Sequence, residues 1–146
     1  MTAAAPLDAA YAALAGVRTA LLADAALAGM LGDGLKIVTA APSSYPCPFI
    51  SMDLRANDWS TATEDGQEIA LDLNVWTQPA SQTPETGSGR AIMARCRALL
   101  HTATLTLDAP FHAVLCRVEN EIGPYRDPDG ATLHGVVSLR IVVDHT

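Results

Sequence analysis

Hydrophobic and polar positions alternate most regularly between Ile69 and Trp76, where Ile69, Leu71, Leu73 and Val75 are separated by Ala70, Asp72 and Asn74. A period of two marks a β-strand buried on one face only. The pattern recurs from Phe49 to Arg55, with Ile50, Met52 and Leu54 on one side and Ser51, Asp53 and Arg55 on the other. It returns from His112 to Ile122, setting Val114, Cys116, Val118 and Ile122 inward against Arg117, Glu119 and Glu121. A last strand is predicted from about His134 to Val143, with Val137, Leu139, Ile141 and Val143 toward the core.

Two stretches have helical spacing instead. From Leu7 to Leu31 the chain is almost all Ala and Leu, with Leu7, Tyr11, Leu14, Arg18, Leu21 and Leu22 three or four apart. Ala and Leu are strong helix formers, so one long helix is predicted, bent or interrupted at Gly16 and ended by Gly29 and Gly32 to Gly34. A second runs from about Arg90 to His101, with Ile92, Cys96, Leu99 and Leu100 on its core face and Ser88 placed to cap it. Arg90 and Arg97 fall seven apart on its outer side. Leu35 to Val38 is a short extended candidate.

Turn residues order these elements. Asp65-Gly66 closes the polar loop from Asn57 to Gln67, which makes the strands on either side a hairpin. Pro128 and Gly130 shape the turn from Tyr125 to Gly130 that joins the last two strands. Pro42, Pro46 and Pro48 exclude helix between Val38 and Phe49. Thr77 to Gly89 has no apolar residue larger than Ala or Pro and is expected to be a mobile surface loop within one domain spanning 1–146. The order helix, strand, strand, helix, strand, strand predicts an α+β fold, an antiparallel sheet of about four strands with two helices on one face.

Composition narrows the function. A chain of 146 residues, 49% of them hydrophobic, is long enough for one real core. No apolar run approaches the roughly 20 residues of a membrane span, and the first Arg is Arg18, so neither a membrane segment nor a signal peptide is expected. Nine basic residues against sixteen acidic give a net charge of −7, which argues against wrapping nucleic acid. Cys47, Cys96 and Cys116 are far apart and read as free thiols in a reducing compartment.

The residues carry little catalytic chemistry. His101, His112, His134 and His145 lack the spacing of a zinc site, and Asp127-Pro128-Asp129-Gly130 lacks the remaining acidic ligands of a calcium loop. No phosphate-binding glycine loop or nucleophile elbow is present, so no cofactor and no enzyme activity are expected. Two other readings stay open: a hydrolase using His134 with Asp127 or Asp129, which needs a deep pocket, and a protein-binding module with an open sheet edge. Trp59, a large ring in a hydrophilic loop, either folds onto the sheet edge or anchors a partner.

Taken in order, Asp58-Trp59-Ser60-Thr61-Ala62-Thr63-Glu64-Asp65-Gly66, Val75-Trp76, Ile92-Met93, Leu100-His101, Arg126-Asp127-Pro128-Asp129-Gly130 and His134-Gly135 form a set that resembles a known family. It is similar to the tail completion, or tail terminator, proteins of siphophages and prophages, including those of phage-like gene transfer agents of α-proteobacteria. The likeness runs from about Leu7 to Val143. It implies a structural virion subunit, assembled in the bacterial cytoplasm and placed at the particle neck. There a homohexameric ring caps the tail tube, joins it to the head connector and lets DNA pass without specific binding. Interface candidates are then Asp58, Trp59, Ser60, Thr61, Thr63, Glu64 and Asp65 of the polar loop, with Arg90, Arg97, Arg126, Asp127, Asp129 and His134. Asp72, Glu119 and Glu121 are expected to line the bore, where like charge repels phosphate.

Overall fold

In the computed structural model, which describes residues 8–42, 45–58, 66–78, 87–128 and 131–145, the Ala- and Leu-rich segment forms two helices rather than one. Helix α1 (Ala9–Leu22) starts where the Asp8 carboxylate accepts from the Tyr11 N–H at 2.9 Å. Helix α2 (Ala25–Leu31) starts where Asp24 accepts from the Leu27 N–H at 2.8 Å. An Asp at this position satisfies a backbone donor that has no partner within the helix, so Asp24 opens a new helix, bent 86° from the first. Glycine is not the break. Gly16 lies inside α1, where a Cβ would meet Leu107 Cδ2 at 2.5 Å; its small size admits the segment after α3.

Among the described residues, five strands form one sheet: β1 (Ile37–Val38), β2 (Phe49–Asp58), β3 (Gln67–Thr77), β4 (Phe111–Arg126) and β5 (Leu133–His145), in the order β1-β2-β3-β5-β4. Helix α3 (Gly87–Leu100) connects β3 to β4. The α+β class and both hairpins are as the alternation predicts. The short β1 joins as a fifth strand, parallel to β2, while the remaining pairs are antiparallel. Ser88 lies within α3 rather than capping it, so the polar segment before the helix ends sooner than Gly89.

The helices cover one face of the sheet. Ile50 and Met52 of β2, Ile69, Leu71 and Leu73 of β3, and Leu139 and Ile141 of β5 meet Leu21, Leu27, Ile92 and Leu100 of the helices, all fully buried. Each such side chain contributes about 1.5–3 kcal/mol over an exposed one. Among the described residues no helix covers the other, open face, and along β3 it carries Glu68, Ala70, Asp72, Asn74 and Trp76, all half-buried.

Strand β4 departs from its predicted alternation. Its register against β5 shifts between Ala113 and Leu115, between Val118 and Asn120, and between Ile122 and Tyr125. Each bulge inserts a residue and reverses the side to which later side chains point. Val114 and Ile122, expected inside, are therefore 61% and 49% exposed. Glu121, expected on the open face with Glu119, turns to the helix side, where Oε2 accepts from Arg97 Nη1 at 2.8 Å.

Two features give tests. Arg95 of α3 donates to Asp24 through both Nε (2.8 Å) and Nη2 (2.6 Å), fastening α2 to α3. The Arg95 hydrogen bond, aided by the Leu27 N–H, lowers the Asp24 carboxyl to about 2 from an ordinary 3.8. A depressed carboxyl stabilises the fold above its unfolded value and loses that contribution as pH falls from about 3.8 toward 2. Asp24→Asn, which keeps the cap, should lower the urea midpoint at pH 6, and the gap from the unsubstituted protein should close by about pH 2; a gap independent of pH would refute the pairing's role. Gly123 in β4 has φ +84°, and a Cβ there would stand 2.7 Å from the His134 carbonyl oxygen. Gly123→Ala should therefore cost at least about 2 kcal/mol in denaturant titration.

Candidate assembly interface

On the open face, polar side chains of neighbouring strands come into register and bind one another. Asp53 (β2) accepts from Asn74 Nδ2 (β3) at 2.6 Å, and Asn74 Oδ1 lies 2.8 Å from His134 Nε2 (β5), whose Nδ1 lies 3.0 Å from the Tyr125 hydroxyl (β4). A carboxylate only accepts, so it turns the Asn74 amide nitrogen toward Asp53 and its oxygen toward His134. That assigns the Nε2–H tautomer to His134, with Nδ1 accepting from Tyr125. One hydrogen-bonded cord thus crosses four strands.

Two further cords run beside it. Arg55 Nε (β2) and the Ser138 hydroxyl (β5) both donate to Asp72 Oδ1 (β3), at 3.3 and 2.8 Å. Arg140 (β5) holds Glu68 (β3) through Nε at 2.6 Å and Nη2 at 3.1 Å, with Glu119 of β4 at 3.7 Å. At one end of the sheet stands a row of rings. Trp76 stacks on His134 with centroids 3.8 Å apart and planes 6° apart, and Phe49 follows at 6.2 Å, with Tyr45 set edge-on to Phe49 at 5.0 Å. The Trp76 indole N–H donates to Ser51 Oγ at 3.1 Å.

Electrostatics fit a static surface. Burial lowers the His134 pKa, against the opposing fields of Asp127 and Asp53, and keeps the ring neutral. Burial pushes the Cys96 thiol up to about 12 and the Cys116 thiol to about 11, too high for a nucleophile at neutral pH.

The structure sorts the expected site residues as follows. His134 sits in the cord, both ring nitrogens engaged by Tyr125 and Asn74, so the ring is oriented by neutral groups rather than by Asp127. Asp127 follows β4 in the turn, its N–H donating to the Thr132 carbonyl at 2.8 Å, and Arg126 ends β4 on its exposed side. Arg90 and Arg97 do share a surface, a hollow of about 630 Å³ on the helix side that also takes in Glu121. Asp58 ends β2, opposite Glu68. Trp59, Ser60, Thr61, Thr63, Glu64, Asp65 and Asp129 lie outside the described residues, as does most of the expected loop before α3. Of the three bore candidates, Asp72 and Glu119 share the open face and Glu121 does not.

Sequence reasoning missed the partners rather than the face. Asn74 and Trp76 lie on the polar phase of β3, but their link to Tyr125 and His134 depends on the register of β3 with β5 and of β5 with β4.

Residues 15–144 match the family described as Tail completion protein gp17. The chain belongs to this family. It is accordingly a structural component of a phage-type virion. Its fold is similar to that of a chain in the "Virion of native gene transfer agent (GTA) particle", with TM-score 0.73 and 22% identity over 94% of this chain and 98% of that one. No curated protein matches the sequence.

A test follows from the cord. His134 should titrate below 6.5, its ordinary value. A base whose folded pKa is lowered favours folding above its unfolded pKa, and that contribution fades as pH falls through the folded one. Imidazole NMR shifts should show the low midpoint, and Asn74→Ala should move it; an ordinary midpoint would refute the buried, neutral assignment.

Proposed function

We propose that this tail completion protein acts as a homohexameric ring that caps the tail tube, halts its growth and joins it to the head connector while leaving a path for DNA. Family membership across residues 15–144 is the observation that carries this reading. The likeness to a chain of a gene transfer agent virion supports it at the level of fold. The open sheet face adds a physical reason: three cords hold its side chains in fixed positions, so little rotamer freedom remains to be lost when a neighbouring subunit docks.

The contacts of the ring are proposed for the loop carrying Asp58, Trp59, Ser60, Thr61, Thr63, Glu64 and Asp65, with Arg90, Arg97, Arg126, Asp127, Asp129 and His134. The net charge of −7 supports a bore to which phosphate does not adhere. Asp72 and Glu119 contribute less to that field than bare carboxylates would, because Arg55 and Arg140 lie against them.

Trp59→Ala tests the loop's part. The purified variant should keep the circular dichroism and melting of the parent, while the yield of complete particles falls at least about tenfold, as loss of an aromatic anchor costs about 2 kcal/mol or more. Unchanged particle yield would contradict the assignment of this loop to an interface.

A further inference from the structure

A cavity of about 620 Å³ opens on the open face, at the end of the sheet where the aromatic row stands. Tyr45, Phe49 and Trp76 wall it, and Asp53 and Asp127 supply two carboxylates. Asn74 holds the Asp53 carboxylate in place at 2.6 Å. All nine Lys and Arg residues of the chain are among the described residues, and none lines this cavity. It is an aromatic-walled, acidic recess. Its chemistry suits a guanidinium on a long apolar stem, the charge on the carboxylates and the methylenes along the rings.

Most cations of the chain are already engaged. Arg55, Arg95, Arg97 and Arg140 are in ion pairs, and Arg18 and Lys36 donate to the carbonyls of Ile37 and Pro46. Arg90 and Arg117 are exposed and have no hydrogen bond or ion pair among the described residues. Arg117 lies opposite Arg140, on the same face as the cavity, so its use would bring two open faces together. Arg90 lies on the other side of the sheet, on α3. It also stands at the cavity's end of the molecule, because a Cβ on adjacent Gly89 would be 2.9 Å from Pro124 Cγ and 3.4 Å from Thr77 Oγ1.

We propose that this cavity receives the Arg90 side chain of a second copy of the chain, its guanidinium meeting Asp53 and Asp127 and its stem packing on Trp76 and Phe49. The proposal rests on the ring reading above and names one contact of that ring. Socket and plug lie on opposite faces at the same end, so each copy uses both. Such a head-to-tail contact passes from copy to copy and closes when the rotation divides a full turn.

The test places a photo-cross-linking amino acid at Thr39, on the exposed rim of the cavity, in protein incorporated into particles. Irradiation should join Thr39 to the α3 peptide of another copy that begins around Arg90, and Arg90→Glu should reduce that product at least about tenfold. Asp53→Arg combined with Arg90→Asp should recover more of it than either substitution alone. Links to another protein or to a different part of this chain would overturn the proposal and leave the ring reading standing. The same holds for no link from protein that is present in the particles at ring stoichiometry. A single copy per particle would overturn both.

Discussion

The structure depends on a sheet that the helices, among the described residues, cover on one face only. In β3, the central strand, Ile69, Leu71, Leu73 and Val75 are fully buried beneath the helices, while Glu68, Asp72, Asn74 and Trp76 stand between them on the open side. The apolar half supplies the stability. The polar half has to remain outside the core, and with no helix above it each side chain finds its partner across the strands. Hence the three cords, each running through β3 and β5 with one or both of their outer neighbours.

The consequence is a surface with fixed chemistry. A bare row of exposed carboxylates and long cations would move freely and contribute little to docking. Here Arg140 is held by Glu68, Asp72 by Arg55 and Ser138, and His134 by Trp76, Asn74 and Tyr125. The same pairing changes the picture of an acidic wall: Asp72 and Glu119 lie beside guanidinium groups, while Asp53 and Asp127 line the recess beside Trp76. The ordered surface chemistry therefore has its origin in the incomplete cover of the sheet.

Much of this was legible in the chain. Strict alternation in β3 and β5 reports a face buried against helices, as it does in β2 as far as Met52, but Leu54, expected inside, is 47% exposed beside a bulge at Leu54/Ala56; the turn residues report how the strands pair. Long-range packing escaped the local pattern. The break at Asp24 was missed because Ala and Leu spacing continues through it; the cap competes with helix propensity and wins with the help of Arg95, 71 residues away. The sides of Ile122 and Glu121 were misread because a bulge leaves no mark in a period of two until the partner strand is known. The tie between Asn74 and His134 likewise exists only through strand register, although each residue alone was visible on a polar phase or in a motif.

The most direct measurement is an electron cryo-microscopy map of the neck of intact particles from the host. The account predicts six copies of this chain in one ring at the end of the tail tube, with the open face of each sheet turned toward the helix side of its neighbour. Particles that contain the protein elsewhere, or as an isolated copy with its open face in solvent, would contradict it.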